Sequence, residues 1–150
     1  RRYGILAQGV SRSPTVREAA VQDNVVSVAI VGGGRTGAPL LEALLALPYI
    51  RVVGIADREA DSPGAALALE RGIFFTENAD VLAAKADEID LIIEVSGDPA
   101  VKPALKAAFR AQGNSATIIV HDLVARLIMT LASGADTLAP SLHPHDTGVG

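Results

Sequence analysis

The sequence predicts an α/β fold: a doubly wound parallel sheet of Rossmann-like type, strand order 3-2-1-4-5, with helices on both faces in a three-layer α/β/α sandwich. Three observations lead there. Five aliphatic runs alternate with helix patterns at the spacing of strand–helix units. Those runs are apolar throughout, as strands covered on both faces are. The chain of 150 residues is 49% hydrophobic with only 3% aromatic residues, so its core is built from Ala, Val, Leu and Ile. Right-handed crossovers then set the strand order.

The elements follow in turn. "VVSVAIV" (Val25 to Val31) reads as the first strand. After a glycine turn, Leu40, Leu41, Leu44, Leu45 and Leu47 fall on one helical face, and Pro48 stops that helix. "RVVGIAD" (Arg51 to Asp57) is the second strand. Ser62-Pro63 reads as an N-cap followed by proline in the first turn, with Leu67 and Leu69 behind it and Gly72 as the stop. "IFFT" is a short third strand, Asn78 to Lys85 a helix, and "IDLIIEV" the fourth strand. Asp98-Pro99 repeats the cap-and-proline start, with Val101, Leu105, Ala108 and Phe109 as the helical face. "ATIIV" is the fifth strand, and "DLVARLIMTLA" the last helix, capped by Asp122.

Bulk properties exclude several functions. The net charge is −4 and no Lys/Arg cluster stands out beyond Arg1-Arg2, so nucleic acid is not an expected partner. The absence of cysteine removes disulfides, thiolate metal sites and cysteine nucleophiles. The longest near-candidate for a membrane span, Leu40 to Leu47, is short and broken by Glu42. Nothing at the start has the order of a secretion signal, and a cytoplasmic location is expected. His143 and His145 lack a third ligand at a sensible spacing, so no metal site is expected. No G-x-x-x-x-G-K-[ST] turn is present, which argues against a P-loop nucleotidase.

The informative stretch is "VGGGRTG". Gly32, Gly34 and Gly37 match G-x-G-x-x-G between a predicted strand and a predicted helix. Gly32 lets the chain turn out of the strand, Gly34 lets a pyrophosphate approach the backbone, and Gly37 lets the helix pack on the sheet. The helix N-terminus attracts the anion. Gly33, Arg35 and Thr36, in the same turn, count with them as cofactor-binding candidates. Pro39 lies early enough in the helix for its missing N–H to cost little.

Such glycines can serve packing alone. Asp57 extends the reading, because it ends the second strand where a carboxylate accepts hydrogen bonds from the adenosine ribose. Arg58 beside it is suited to a 2′-phosphate, so NAD is the expected cofactor and NADP the alternative. Ser96 and Gly97 leave the fourth strand at its carboxyl end and are candidates to line the nicotinamide ribose. His121, just after the fifth strand, is the candidate acid–base residue; an exposed loop histidine is its bland alternative. The chain thus divides into an arm or linker (1–24, with a short helix from Ser13-Pro14 to Ala20), a dinucleotide-binding domain (25–133) and a flexible tail (134–150). It starts without Met, and an origin as a processed or excised piece is expected.

The stretch from "VAIVGGGRTG" through "IIEVSGDPAV" resembles the N-terminal NAD(P)-binding domain of homoserine and aspartate dehydrogenases. It is similar also to that of the glucose–fructose oxidoreductase family. The resemblance covers about residues 26 to 133 and implies cofactor roles for Gly32, Gly34, Gly37 and Asp57, and more loosely Ser96 and Gly97. Members of the latter family carry Glu-Lys-Pro after strand five, with the lysine in catalysis; here "VHDLV" (Val120 to Val124) lacks it. Those dehydrogenases also have a substrate domain, whereas only Gly134–Gly150 follows Ser133 here. Two functions are therefore expected. One is an NAD(P)-binding domain of an oxidoreductase-like protein, completed by a fused or partner catalytic domain. The other is a non-catalytic redox-sensing module of a signalling protein, working through a homodimer or partner. Coenzyme A is a third ligand of this fold, disfavoured because Asp57 would repel its ribose phosphate.

Overall fold

The computed structural model describes residues 24–145. The arm expected before residue 24, with its Ser13–Ala20 helix, lies outside them, as do residues 146–150. The strands are β1 (Val26–Val31), β2 (Ile50–Ala56), β3 (Phe75–Thr76), β4 (Leu91–Glu94) and β5 (Ile118–Val120), in one sheet of order β3-β2-β1-β4-β5. All four pairings are parallel, as the sequence predicts. The helices are α1 (Gly37–Leu45), α2 (Pro63–Arg71), α3 (Ala79–Ala84), α4 (Val101–Ala111) and α5 (Asp122–Ser133), with a 3-10 turn at Ala86–Glu88.

Two apolar layers sandwich the sheet. One joins Val28, Ile30, Ile55 and Ile93 to Leu40, Leu41 and Leu44 of α1, Ala68 of α2 and Ala125 of α5. The other joins Ala29, Val31, Ala56 and Ile92 to Leu82 and Ala83 of α3 and Leu105 and Phe109 of α4. β1 lies at the centre, its residues from Ser27 onward buried, which is why its sequence is apolar on both faces.

One irregularity sets the site. The β1–β2 register slips between Val28 and Ala29, which face Val52 and Gly54. Val53 is the extra residue, and the phase of β2 changes there, so that Ile55 lies opposite Ile30 in the same layer. Continuing that phase, Asp57 turns toward the exit of β1.

Several boundaries differ from expectation. Leu69 is 84% exposed, because the buried stripe of α2 runs through Gly64, Ala65 and Ala68 instead. Leu47 lies beyond the end of α1. α4 starts at Val101, not at an Asp98-Pro99 cap: Pro103 has no N–H to bond the Pro99 carbonyl, and the first turn closes with Ala104 N–H on Ala100 O at 3.2 Å. Asp98 accepts from Ala100 N at 2.9 Å, bracing the turn before the helix. α5 is capped by His121, whose Nδ1 accepts from Leu123 N at 3.1 Å, and Asp122 is its first helical residue. The Ser62 cap is as expected: its Oγ accepts from Ala65 N at 3.1 Å, with Pro63 beside it.

The small residues of α2 have a purpose. A Cβ on Gly64 would fall 2.7 Å from Gly33 Cα and 2.8 Å from its carbonyl oxygen, which accepts from Gly64 N at 2.7 Å. Gly64→Ala should lower the unfolding free energy by about 1–3 kcal/mol, read from the urea midpoint. An unchanged midpoint would mean that α2 can draw back from the glycine turn without cost.

Candidate functional site

The site lies at the carboxyl edge of the sheet, where the strand order reverses between β1 and β4. A cleft of about 770 Å³ opens there, within the range of small-molecule sites. Gly32, Gly34, Arg35 and Thr36 line it from the turn after β1, Asp57 and Arg58 from β2, and Ser96 and Asp98 from β4. Val101, Ala104 and Leu105 of α4 form an apolar wall.

The glycines have separate reasons. Gly32 has φ +110° and lies so close to β4 that a Cβ would be 2.7 Å from Ser96 N. A Cβ on Gly37 would overlap the Gly32 carbonyl oxygen, so α1 is seated directly on the strand exit. Gly33 is buried and does not line the cleft: a Cβ would meet Ser62 Oγ at 2.8 Å and the Asp57 side chain. Gly34 alone of the four has, its own chain neighbours aside, nothing among the described residues within 4 Å of where its Cβ would be. It faces the open cleft.

α1 ends against that opening without a side-chain cap, since Thr36 makes none, and its first turn carries no acidic residue. Ala38 N bonds to Gly34 O at 3.1 Å and Pro39 has no N–H, so what the start of α1 offers the cleft is mainly the positive end of its dipole. Arg35 is exposed at the rim and Thr36 is buried beneath it.

Asp57 does more than end its strand. Its Oδ2 accepts from Gly33 N at 2.5 Å and its Oδ1 from Glu59 N at 2.8 Å. The carboxylate thus pins the glycine turn and its own loop, with lone pairs remaining on both oxygens. Arg58 reaches across the cleft to Asp98, Nη2 to Oδ2 3.6 Å, with 84% of its side chain exposed. Glu59, Glu77 and Asp80 join Asp57 at this end, so it is acidic on balance.

On the other side, Ser96 is held by Glu94, a fully buried carboxylate. Glu94 Oε2 accepts from Ser96 N at 2.8 Å and from Ser96 Oγ, and Lys102 Nζ stands 4.0 Å from Oε1. Ser96 Oγ also accepts from Asp98 N at 3.1 Å. Gly97 does not open onto the cleft: its φ is +76°, and a Cβ there would overlap the imidazole of His143. His143 itself lines the cleft. It lies 46 residues beyond Gly97 in the chain, so spacing carried no signal for it. His121, by contrast, lines a separate concavity of about 570 Å³ with Lys102, Lys106 and Arg110 of α4. Its Nδ1 is used as the helix cap.

Comparison with known proteins places this geometry. No family model matches the chain. Acetaldehyde dehydrogenase 2 of Salinispora arenicola is 41% identical over 69 residues, 45% of this chain and 23% of that protein. Among solved structures, a myo-inositol dehydrogenase from Corynebacterium glutamicum superposes with a TM-score of 0.52 at 22% identity, covering 73% of this chain and 33% of the other. An oxidoreductase from Agrobacterium radiobacter, in complex with NAD+, L-tartaric acid and magnesium, gives 0.51 at 16%, covering 73% and 32%. A homoserine dehydrogenase from S. aureus gives 0.50 at 16%, covering 73% and 30%. The fold is thus the Rossmann-like doubly wound sheet that these structures share. The chain spans about a third of the length of these structures and about a quarter of the curated relative.

The Asp57 clamp is open to a direct test. Asp57→Ala strands the Gly33 N–H in a buried position and should cost about 1–3 kcal/mol of stability, while Asp57→Asn keeps an acceptor oxygen and loses less. Hydrogen exchange at the Gly33 amide should quicken in the alanine variant; parent-like protection would mean that the turn holds without the carboxylate.

Proposed function

We propose that this chain is the NAD(P)-binding domain of an oxidoreductase-like protein, and that it takes NAD(H) in preference to NADP(H). The observation that carries this is Gly34. Its neighbours in the motif are glycine because another part of the chain leaves no room for a Cβ. Gly34 meets nothing, and no positive φ demands it. Space held open at a helix start that no side chain caps, at the positive end of the α1 dipole, suits a pyrophosphate. The adenosine then lies toward Asp57 and the second half of the dinucleotide toward Ser96. Asp57, Glu59, Glu77 and Asp80 at the adenosine end disfavour a ribose phosphate, with Arg58 engaged by Asp98. The same charges count against NADP and against coenzyme A.

Gly34→Ala separates ligand from fold. It should leave the denaturation midpoint as in the parent, within about 0.5–1 kcal/mol, and weaken NAD binding at least tenfold by calorimetry. Calorimetry of the parent with NAD, NADH, NADP, NADPH and coenzyme A gives the order of preference; parent-like NAD affinity in Gly34→Ala would sink the proposal.

Catalysis requires a substrate held against the nicotinamide, and a fused or partner domain supplies that hold in this reading. A second reading, a redox-sensing module of a signalling protein, is favoured by the position of His121, outside the cleft and committed to capping α5. Among the described residues no helix is long and apolar enough to cross a membrane. A cytoplasmic site of action accords with a diffusing dinucleotide and a chain without cysteine.

In either reading a homodimer gives α5 a partner. Leu123, Leu127 and Leu131 recur at one face of α5 and are 51%, 48% and 72% exposed, with Val124 beside them. A stripe of that kind buries well against a second copy related by a two-fold axis. Leu127→Glu should convert a dimer to monomer in light scattering while the far-UV circular dichroism of the folded chain is kept; an unchanged mass would exclude α5 as the contact.

A further inference from the structure

We propose that His143 is a cofactor-contacting residue, delivered to the nicotinamide end of the cleft by a strap that folds back along α5. This rests on the dinucleotide reading above and adds to it a residue from outside the strand–helix frame.

The strap is attached at successive turns of one helix face. Asp122, Arg126 and Thr130 are spaced four apart on α5. Arg126 Nε donates to Ala139 O at 2.8 Å, and Ala139 N donates to Thr130 Oγ1 at 2.9 Å. Ser141 Oγ lies 3.5 Å from Asp122 Oδ2 and accepts from His143 N at 3.2 Å. Residues 139 to 143 therefore run from the carboxyl half of α5 toward its start. The start of α5 is at the carboxyl edge of the sheet, so the strap ends at the cleft.

There the imidazole rests on Gly97. That glycine is required twice over, by its positive φ and by the ring upon it. The floor beneath is rigid, because Ser96 is tied to buried Glu94 through both its N–H and its hydroxyl. With the ring in place the cleft still measures about 770 Å³, so His143 is a wall and not a plug. Adenosine at Asp57 and pyrophosphate at Gly34 direct the remaining half of the ligand over the end of β4. His143 meets it there with a flat ring face and a ring nitrogen able to hydrogen-bond a ribose hydroxyl or the carboxamide.

The test is calorimetry on the whole chain with two ligands, NAD and ADP, the second lacking the nicotinamide riboside. His143→Ala should weaken NAD about three- to tenfold, the factor that one ordinary hydrogen bond carries, and leave ADP unchanged. His143→Gln, which keeps a hydrogen-bonding group, should recover part of the loss. If the parent binds neither ligand, the dinucleotide reading falls and this proposal with it. If the parent binds both and His143→Ala binds NAD as well as or more tightly than the parent, only the proposal falls. An equal loss for ADP and NAD overturns it too, because it assigns His143 to support of the fold.

Discussion

The structure depends on how closely α1 is seated on the exit of β1. No group larger than hydrogen fits on Gly37 facing the Gly32 carbonyl, and none fits on Gly32 facing the backbone of Ser96. These two contacts force the chain to reverse within a few residues at the centre of the sheet. The helix then begins directly above the point where the strand order changes. No side chain caps the start of that helix and no acidic residue lies in its first turn, which leaves the positive end of its dipole open to the cleft. Tight packing at the strand exit and an uncapped helix start facing the cleft are one geometric event.

The turn is held from the other side by β2. Asp57 reaches Gly33 because β2 changes phase at Val53, which also lets Ile55 join Ile30 in the core. Without that extra residue, the side chains beyond it would exchange faces. α2 closes the arrangement with Gly64 against Gly33 and the Ser62 cap close by. A local irregularity in one strand thus fixes a carboxylate, a loop and a helix together.

The layered fold was legible because apolar runs and helix stops repeat with little ambiguity. The glycine spacing and Asp57 were legible because the motif states its own mechanics. The phase change in β2 was not read, although Gly54 inside the strand was its signal: interior glycines often mark bulges. The start of α4 was misread because Asp98-Pro99 imitates a cap while Pro103 decides the first turn. His121 displaced Asp122 as the cap of α5 because a ring nitrogen can accept as an oxygen does, a substitution that cap preferences rank low. His143 was illegible in principle, since only the path of the strap brings it to Gly97.

Glycine carries two kinds of information in this chain, and separating them is what gives the site meaning. A glycine crowded by the protein's own atoms, such as Gly37 or Gly64, says something about packing. A glycine at positive φ, such as Gly72, says something about backbone conformation. Gly34 belongs to neither group. A side chain there would cost the folded chain nothing by contact and would reduce the entropy of the unfolded one. Stability alone would therefore favour a larger residue at that position. In the proposed reading the open space serves a ligand from outside the chain, and the positive end of α1 beside it favours one that carries negative charge.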